Sequence, residues 1–513
     1  MDMIHAFDHG AALYPQRPCF ISGDIRYTYQ EVRLLTERIA HRLRALDAGN
    51  GRQSGILSPN DAIAFACVLG SLRAGNRWVP LNPRNTASEQ MQLLQAFDVE
   101  VLFFHSAMEP VIAAIHGQLG ILRQLVCVDR QSEFAPSLEQ WLDDAACGPV
   151  QRSFKPDDCA VIAATGGTTG LPKGVMLSHR NVETFVATFM CSTPAAGSPV
   201  HLVVAPMTHA AGIMCFPMMA RGGTNILLAK PDPQSILAAI EKYRVTDLFL
   251  PPTLIYMLLA QPNVRDFDFS SLRYLVYGAA PMSTTKLRQA MEMFGPVMTQ
   301  AFGQTEAPMI CCFMSPQEHV DASDLRLSSC GRPTPFTEVG LMNDHGDLLP
   351  DGETGEIVVR GDLVMLGYLR NPEATEEAGR FGWHHTGDIG YRDAEGYLHI
   401  VDRKKDMIIT GGFNVYSSEV EQALLSHPSI QDCAVIGVPD EKWGEAVKAV
   451  VQLKPGQNAD EAALQEHCKA LIGSVKSPKS VEIWPDLPRS TVGKVLKRDI
   501  RQRYWAGHAR TVV

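Results

Sequence analysis

The stretch TGGTTGLPKG, residues 165–174, concentrates glycine and threonine around one lysine, a composition suited to holding phosphate. Glycines let backbone N–H groups converge on an anion, and threonine hydroxyls add further donors. A P-loop requires Ser or Thr directly after Gly-Lys, whereas here Pro172 precedes Lys173 and a glycine follows it. An apolar run at 159–164 precedes the stretch and a helical pattern begins near Asn181. We therefore predict a strand–loop–helix phosphate site, with a surface Gly/Thr turn as the competing interpretation.

Composition and charge narrow the class of protein. A chain of 513 residues exceeds what one core usually supports, so we expect at least two domains, and 45% hydrophobic residues suffice to fill them. The net charge of -10 indicates no nucleic-acid partner. The start MDMIHAFDHG lacks a signal peptide's basic and apolar pattern, and His209 interrupts the most apolar stretch, 203–220. We expect a cytoplasmic enzyme without a transmembrane segment; weak membrane association and the oligomeric state stay open.

The twelve cysteines are scattered without metal-ligand spacing. Adjacent Cys311 and Cys312 suit neither a zinc site nor a disulfide framework. We predict that they are buried free thiols.

Local patterns predict an α/β fold. Thr28 and Glu31 have capping-box spacing ahead of an amphipathic helix. Short apolar strands at 201–205, 247–250 and 274–278 alternate with helical segments, which favours a mostly parallel sheet covered by helices.

The pattern changes after about residue 350. Short antiparallel strands joined by glycine turns come first, and a helix opens at Ser417 or Ser418. Further strands near 432–438 and 446–453 complete a second unit. We place the boundary in the charged stretch at Asp402, giving domains 1–402 and 403–513.

The glycine-rich stretch, continued by VMLSH, closely resembles the phosphate-loop signature of the adenylate-forming superfamily, which includes acyl-CoA synthetases. The resemblance runs in order through TYQEV, WVPLNPR, QAFGQTE, SCGRPTP, HTGD, DRKKDMIITGGFNV, VIGVPDEKWGE and PRSTVGKVLKR. It implies a large N-terminal domain of mostly parallel sheets with a β-rich subdomain, and a small mobile α+β C-terminal domain. It also implies an AMP-forming acid–CoA ligase that uses ATP, Mg²⁺, CoA and a small-molecule carboxylic acid.

The resemblance carries roles over to particular residues. Catalytic roles fall on Lys494, Glu306, Thr165 and His209, and Mg²⁺ contacts on Thr165 and Glu306. Contacts to nucleotide, phosphates or CoA fall on Thr165, Gly166, Gly167, Thr168, Thr169, Gly170, Lys173, Gly278, Ala279, Ala280, Gln300, Ala301, Phe302, Gly303, Thr305, Asp388, Arg403, Lys405, Gly411 and Gly412.

The chemistry suits the residue types. Phe302 matches the aromatic residue beside adenine, and the Glu306 carboxylate is a hard oxygen ligand for Mg²⁺. Asp388 matches the acid that accepts both ribose hydroxyls. Lys494 matches the C-terminal lysine that stabilises charge at the α-phosphate during adenylation.

The second half-reaction explains the two domains, because the family's small domain rotates to present another face to CoA. Lys405 matches the hinge, and Gly411 and Gly412 match glycines beside the pantetheine tunnel. His209 matches a residue that orients the substrate and gates the tunnel. Each of these residues, taken singly, is also compatible with an ordinary surface charge, turn or core histidine.

Two positions depart from the family pattern. Gly166 stands where serine is usual, which removes a hydroxyl donor to phosphate. Phe302 replaces a frequent tyrosine, which keeps the ring and removes its hydroxyl.

The acyl group is less constrained. The predicted residues of the acyl-pocket wall have small or flexible side chains, which favours a medium- or long-chain fatty acid or another bulky apolar acid as the substrate. These residues are Ala210, Ala211, Gly212, Ala279, Ala280 and Met309. Alternatives are an aryl- or cinnamate-type acid–CoA ligase, an adenylating enzyme that does not use CoA, and, in a different class, a non-catalytic nucleotide-binding protein. Amino-acid adenylation is disfavoured because the HAAG region, 209–212, lacks an aspartate to pair an ammonium group.

Overall fold

The computed structural model describes residues 2–46, 51–151, 153–165, 172–195, 197–208, 210–228, 231–489 and 495–505. The chain divides into two compact units. Unit 1 comprises Met1–Val339 and Val359–His384, and unit 2 comprises Gly340–Val358 and His385–Val513. The predicted domain boundary between residues 402 and 403 stays a prediction.

The first strands in chain order are β1 (Pro18–Ser22), β2 (Ile25–Thr28), β3 (Gln53–Leu57), β4 (Arg77–Leu81), β5 (Val99–Phe104), β6 (Gln124–Cys127), β7 (Cys159–Thr165), β8 (Lys173–Ser178), β9 (Val200–Val203), β10 (Thr224–Leu227), β11 (Asp247–Leu250), β12 (Tyr274–Gly278), β13 (Met298–Phe302), β14 (Cys312–Met314), β15 (Arg332–Pro333), β16 (Glu338–Met342), β17 (Gly355–Arg360) and β18 (Gly367–Tyr368). Those that follow are β19 (His384–Arg392), β20 (Leu398–Arg403), β21 (Ile408–Thr410), β22 (Phe413–Val415), β23 (Ile430–Asp440), β24 (Gly444–Leu453) and β25 (Ser480–Ile483).

The α-helices are α1 (His5–Leu13), α2 (Tyr29–Ala45), α3 (Ala62–Ala74), α4 (Ala87–Ala96), α5 (Glu109–Ile115), α6 (Leu138–Trp141), α7 (His179–Ser192), α8 (Ala210–Ala220), α9 (Pro233–Tyr243), α10 (Pro252–Leu259), α11 (Thr284–Phe294), α12 (Pro316–His319), α13 (Asp324–Leu327), α14 (Pro372–Ala378), α15 (Ser417–Leu425), α16 (Glu461–Lys476) and α17 (Lys497–Gln502). The predicted capping box of α2 is confirmed, because Thr28 and Glu31 satisfy each other's backbone N–H groups.

Unit 1 contains two large mixed sheets. The nine-stranded sheet has the order β15-β14-β13-β12-β11-β9-β10-β1-β2. Its central strands are parallel, and antiparallel strands lie only towards the edges. Leu248, Leu275 and Met298 from three neighbouring strands are fully buried in its core. The predicted α/β fold class is confirmed.

The seven-stranded sheet has the order β18-β8-β7-β4-β3-β5-β6, and it corrects one prediction. The glycine-rich stretch does not lead from a strand into a helix, because β8 follows it and pairs antiparallel with β7. Lys173–Ser178 forms a strand whose residues are mostly buried, and α7 begins only afterwards, capped by Ser178. The prediction of a strand–loop–helix site was wrong because this short apolar strand was taken as part of the loop.

Unit 2 is built from smaller, mostly antiparallel sheets. It holds most of the four-stranded sheet β16-β17-β19-β20 and all of a five-stranded sheet with the path β22-β21-β24-β23 and β25 on β24. Helices α15 and α16 supply Val420, Leu424 and Leu464 to the core beside the larger sheet. The predicted helix start at Ser417 is confirmed.

All twelve cysteines are free thiols. The prediction that they are buried was wrong for three of them, since Cys147 and Cys191 are exposed and Cys159 is only half-buried. Among the described helices, none combines the length and apolar character needed to cross a membrane.

Candidate active site

The ends of the predicted phosphate loop are held by strand pairing. Thr165 is the last residue of β7 and Lys173 the first of β8, and the two are partners in the antiparallel register. The predicted contacts at Gly166, Gly167, Thr168, Thr169 and Gly170 lie outside the described residues, as do His209 and Lys494.

Two further motifs emerge side by side from the nine-stranded sheet. Strands β12 and β13 are parallel neighbours in which Gly278 is the partner of Ala301. A Cβ at Gly278 would lie 2.4 Å from the Ala301 carbonyl oxygen, so this close approach requires glycine. Since the carboxyl ends of parallel strands meet at one edge of a sheet, the YGAAP and QAFGQTE motifs lie together.

The chain just beyond these strands is held in unusual backbone conformations. Ala279 has φ +66° and Met309 has φ +65°, both in the left-handed region that non-glycine residues rarely adopt. A Cβ at Gly303 would lie 2.6 Å from the Met309 backbone nitrogen. Strained backbone of this kind clusters at ligand sites, which supports the assignment of these segments to the nucleotide site.

The side chains along β13 offer both a ring and a polar group. Phe302 is 9% exposed, and the buried Oε1 of Gln300 has no hydrogen-bond partner among the described residues. A buried acceptor of this kind is normally satisfied, so a bound ligand or water is expected to reach it.

Tyr277, the first residue of the YGAAP motif, forms a buried pair with His319, and sequence reasoning missed this pair. The His319 Nδ1 lies 2.7 Å from the Ser315 carbonyl oxygen and therefore donates to it. The other nitrogen, Nε2, accepts from the Tyr277 hydroxyl at 3.0 Å. Burial lowers the pKa of His319 to about 4, so the ring is neutral at pH 7 and keeps this arrangement.

Glu306 and Lys173 share a neighbour that the motifs did not reveal. The Tyr368 hydroxyl donates to Glu306 Oε1 at 2.8 Å, and the Lys173 ammonium lies 4.8 Å from the centroid of the same ring. Glu306 and Lys173 are both half-buried. The structure thus brings together the residues predicted to hold Mg²⁺ and the triphosphate.

In unit 2, Asp388, the acid predicted to bind the ribose hydroxyls, forms an ion pair with Arg403. Asp388 and Arg403 are partners across β19 and β20, and Arg403 Nε lies 2.6 Å from Asp388 Oδ1. Asp388 is only 2% exposed. The part of β19 that carries Asp388 is therefore fixed by an ion pair as well as by strand pairing.

Glu356 accepts hydrogen bonds from this part of β19, and sequence reasoning did not predict it. It accepts the Gly387 backbone N–H at 3.1 Å, the His385 Nδ1 at 3.0 Å and the Lys404 ammonium at 3.2 Å. Burial by itself would raise the pKa of Glu356, but His385 and Lys404 hold it below its usual range. The carboxylate consequently stays charged and orders the HTGD motif.

The predicted hinge and tunnel residues lie in the same unit. Burial lowers the pKa of Lys405 although Asp406 opposes the shift. Gly411 and Gly412 have φ +57° and +82°, and a Cβ at Gly411 would lie 2.6 Å from the Trp443 ring. Glycine is therefore required at Gly411 for both conformation and space.

A buried ionic cluster near the hinge is a further feature that the motifs did not indicate. The Lys497 ammonium lies 2.8 Å from Glu421 Oε1 and donates to Ser417 Oγ at 2.7 Å. Ser417 Oγ in turn donates to Asp402 Oδ1 at 3.0 Å. The cluster ties the start of α17 to the chain just before the hinge.

Within the described ranges, no group of three or more His, Cys, Asp or Glu side chains is placed to hold a metal ion.

Comparison with known proteins places this geometry in a family. Residues 7–369 match the model of the AMP-binding enzyme family, and residues 419–494 match that of the AMP-binding enzyme C-terminal domain. The medium/long-chain-fatty-acid–CoA ligase FadD8 of Mycobacterium tuberculosis is 34% identical over 97% of this chain and 89% of its own length. The feruloyl-CoA synthase of an Amycolatopsis species is 37% identical over 96% of this chain and 97% of its own length.

Solved structures agree with these sequence matches. The amide bond synthetase McbA from Marinactinospora thermotolerans has a TM-score of 0.90 and 30% identity, covering 98% of this chain and 100% of that chain. Because the first family model alone spans more than half of the sequence, the chain belongs to the AMP-binding enzyme family.

Proposed function

We propose that this ATP-dependent acid–CoA ligase activates a medium- or long-chain fatty acid or another bulky apolar acid. The observation that carries the substrate class is the character of the predicted pocket wall. Ala211 is buried, a Cβ at Gly212 would lie 1.8 Å from the Met207 carbonyl oxygen, and Ala279 and Met309 are uncharged. Two of the relatives are named for a medium- or long-chain fatty acid and for ferulate, both mainly apolar acids.

Unit 1 fits a magnesium nucleotide in its donor chemistry. Glu306 offers a half-buried carboxylate, and Mg²⁺ commonly takes one or two protein carboxylates beside substrate phosphates. Phe302 offers a ring face for adenine, and the backbone packs too closely around Gly278 and Gly303 for either residue to carry a side chain. Bound Mg²⁺ would neutralise charge on the phosphate oxygens.

In the first half-reaction, a carboxylate oxygen of the acid attacks the α-phosphorus of ATP, and the bond to the pyrophosphate oxygen breaks. The products are acyl-AMP and pyrophosphate. We assign phosphate contacts to Thr165, Lys173 and the loop between them, and ribose contacts to Asp388 and Arg403. Lys494 would stabilise the charge that gathers at the α-phosphate, a contribution commonly worth about 3 kcal/mol.

In the second half-reaction, the CoA sulfur attacks the acyl carbonyl carbon, the bond to the AMP oxygen breaks, and the thiol proton is released. The products are acyl-CoA and AMP. We assign the hinge to Lys405 and the pantetheine passage to Gly411 and Gly412. His209 would orient the carboxylate and gate this passage. We also propose a division at residues 402 and 403 and a cytoplasmic location.

A substrate panel tests the proposal. Purified protein with ATP and Mg²⁺ is given fatty acids of increasing length, cinnamic and ferulic acids, and short polar acids, and pyrophosphate release is measured. Release with fatty acids supports the proposal, whereas release with ferulic and cinnamic acids alone favours the aryl-acid alternative. A folded protein that binds ATP and releases no pyrophosphate with any acid would be a non-catalytic nucleotide-binding protein.

The acceptor is tested separately, because a structural neighbour is named as an amide bond synthetase. CoA or a primary amine is added to the acid that releases the most pyrophosphate. Formation of the acyl-CoA thioester is the expected result. An amide with the amine and no thioester with CoA would identify an adenylating enzyme that does not use CoA.

The two half-reactions are separated by two substitutions. We expect Lys494→Ala to slow acyl-AMP formation about 100-fold and to spare thioester formation from supplied acyl-AMP. Gly412→Leu should do the reverse by blocking the CoA passage. Gly456→Leu is the matched control, since Gly456 has a similar φ of +75° outside the site. Equal losses in both half-reactions for Lys494→Ala would contradict the rotating-domain mechanism.

A further inference from the structure

The segment that carries Tyr368 is fixed by backbone bonds to the two elements predicted to bind phosphate and Mg²⁺. Strand β18 pairs antiparallel with β8, with Tyr368 opposite Val175, and the Leu369 N–H donates to the Gly174 carbonyl at 2.7 Å. At its other end, the Met365 N–H donates to the Glu306 carbonyl at 2.8 Å. The segment therefore lies between the start of β8 and the Glu306 loop.

Helix α14 holds Tyr368 from behind. The Tyr368 backbone N–H donates to Thr375 Oγ1 at 2.9 Å. Gly367 has φ +135°, and a Cβ there would lie 2.6 Å from Thr375 Cγ2. Since the neighbouring residue must be glycine for this contact, the direction in which the tyrosine ring leaves the backbone is strongly constrained.

The ring then makes two contacts of opposite electrostatic character. Its hydroxyl donates to Glu306 Oε1 at 2.8 Å, while its face lies 4.8 Å from the Lys173 ammonium. An ammonium within about 6 Å of a ring centroid is attracted by the negative face of the ring. The aromatic side chain is therefore attached to a predicted Mg²⁺ ligand through its edge and to a predicted phosphate contact through its face.

Tyr368 is 8% exposed, so the contact between its hydroxyl and the Glu306 carboxylate is largely shielded from water.

We propose that Tyr368 is a positioning residue that orients Glu306 for Mg²⁺ and holds the Lys173 ammonium beside it for the phosphates. The inference rests on the proposed function. By donating to one carboxylate oxygen, the hydroxyl fixes the rotation of the Glu306 side chain and leaves Oε2 in a defined direction. The ring face also attracts the Lys173 ammonium and so restricts where this cation lies.

Two substitutions separate the two contacts. Tyr368→Phe removes the donor and keeps the ring face, whereas Tyr368→Leu removes both. Tyr29→Phe is the matched control, because Tyr29 is fully buried in the same unit and its hydroxyl donates to the Gly223 carbonyl at 2.6 Å, outside the predicted site.

Equilibrium binding of ATP is measured by titration calorimetry over a range of free Mg²⁺ concentrations. We expect Tyr368→Phe to raise the Mg²⁺ concentration for half-maximal ATP binding about tenfold, as is typical when the partner of a metal ligand is removed. Tyr368→Leu should add an approximately threefold weakening of ATP binding at saturating Mg²⁺, since the cation–π contact is lost as well. Tyr29→Phe should match the wild-type curve.

A double substitution tests whether the effect passes through Glu306. In a Glu306→Gln background, Tyr368→Phe should cause no further shift in Mg²⁺ dependence. The inference is overturned if the Mg²⁺ curve of Tyr368→Phe superimposes on the wild-type curve, or if Tyr29→Phe shifts it equally. If wild-type protein binds ATP yet releases no pyrophosphate with any acid, the proposed function fails, and the binding curves still decide the role of Tyr368.

Discussion

Two lysine–glutamate arrangements in the two units differ in how the two side chains are connected. In unit 2, Lys497 contacts Glu421 directly at 2.8 Å, and both side chains are mostly buried. In unit 1, Lys173 and Glu306 share the neighbour Tyr368, which contacts the cation with its face and the carboxylate with its hydroxyl. Lys173 and Glu306 are also only half-buried.

The difference distinguishes a structural ion pair from a site prepared for a ligand. Burial raises the pKa of Glu421, with Lys497 opposing it, while Glu421, Asp402 and Asp406 raise the pKa of Lys497 against the effect of burial. These charges satisfy each other inside the protein. A cation and an anion that each contact the same aromatic side chain are instead the residues that we propose for phosphate and Mg²⁺.

The largest expected effect on stability comes from breaking the direct pair. Lys497→Met leaves the buried Glu421 carboxylate without its cation and should reduce the free energy of unfolding by about 3–5 kcal/mol. Urea unfolding, read by hydrogen exchange in peptides of unit 2, measures this loss.

Two variants serve as controls for this prediction. The double variant Lys497→Met with Glu421→Gln should recover most of the stability, because a glutamine can still accept the Val435 N–H that Glu421 accepts at 2.7 Å. Lys454→Met, at an exposed lysine of the same unit, should change stability by less than about 0.5 kcal/mol. A loss below about 1 kcal/mol for Lys497→Met would show that the cluster does not depend on this cation.

The next largest effect is expected for Lys173, and it should appear in enzyme activity and not in the free energy of unfolding. Lys173→Met is expected to slow ATP–pyrophosphate exchange about 100-fold, since the ammonium is assigned to the phosphates. The free energy of unfolding should fall by less than about 1 kcal/mol, the range of a partly exposed cation–π contact. Lys286→Met, which removes a half-buried lysine elsewhere in unit 1, should leave exchange unchanged. A large stability loss with little loss of exchange would mean that Lys173 is a structural residue like Lys497.

The smallest effect concerns a neutral pair in unit 1 that is internally satisfied, Tyr277 and His319. Burial lowers the pKa of His319 to about 4, so the unfolded chain binds this proton more readily than the folded one. The associated stability is complete above about pH 6.5 and is lost as the pH falls towards about 4.

Urea unfolding at about pH 7.5 and about pH 5.5 checks this prediction. The histidine should account for about 1 kcal/mol of the loss between these two pH values. His319→Gln should remove that share, leaving the part due to His201, whose pKa burial also lowers to about 4. An unchanged pH dependence in His319→Gln would contradict the assignment of a neutral ring.

Much of the fold followed from local patterns. The capping box at Thr28 and Glu31, the helix start at Ser417 and the parallel strands near 247–250 and 274–278 are all confirmed. The strand after the phosphate loop was missed because Lys173–Ser178 is short, and only its pairing with β7 distinguishes it from an extended loop.

The candidate site divides in the same way. Phe302 and Glu306 stand within one contiguous motif, so the resemblance of that motif to the adenylate-forming superfamily indicated them without knowledge of the fold. Tyr368 is 62 residues from Glu306, and Lys497 is 80 residues from Ser417. Glu356 was missed for the same reason, since only the pairing of β17 with β19 brings it to Gly387.

The sequence by itself determined the family, the order of the motifs and the α/β character of the chain, because contiguous residues carry both local conformational preference and motif spacing. Only the tertiary structure decided that Tyr368 contacts both Lys173 and Glu306 and that Lys497 reaches Glu421. Such contacts depend on strand order and register, which are set by packing between segments far apart in the chain.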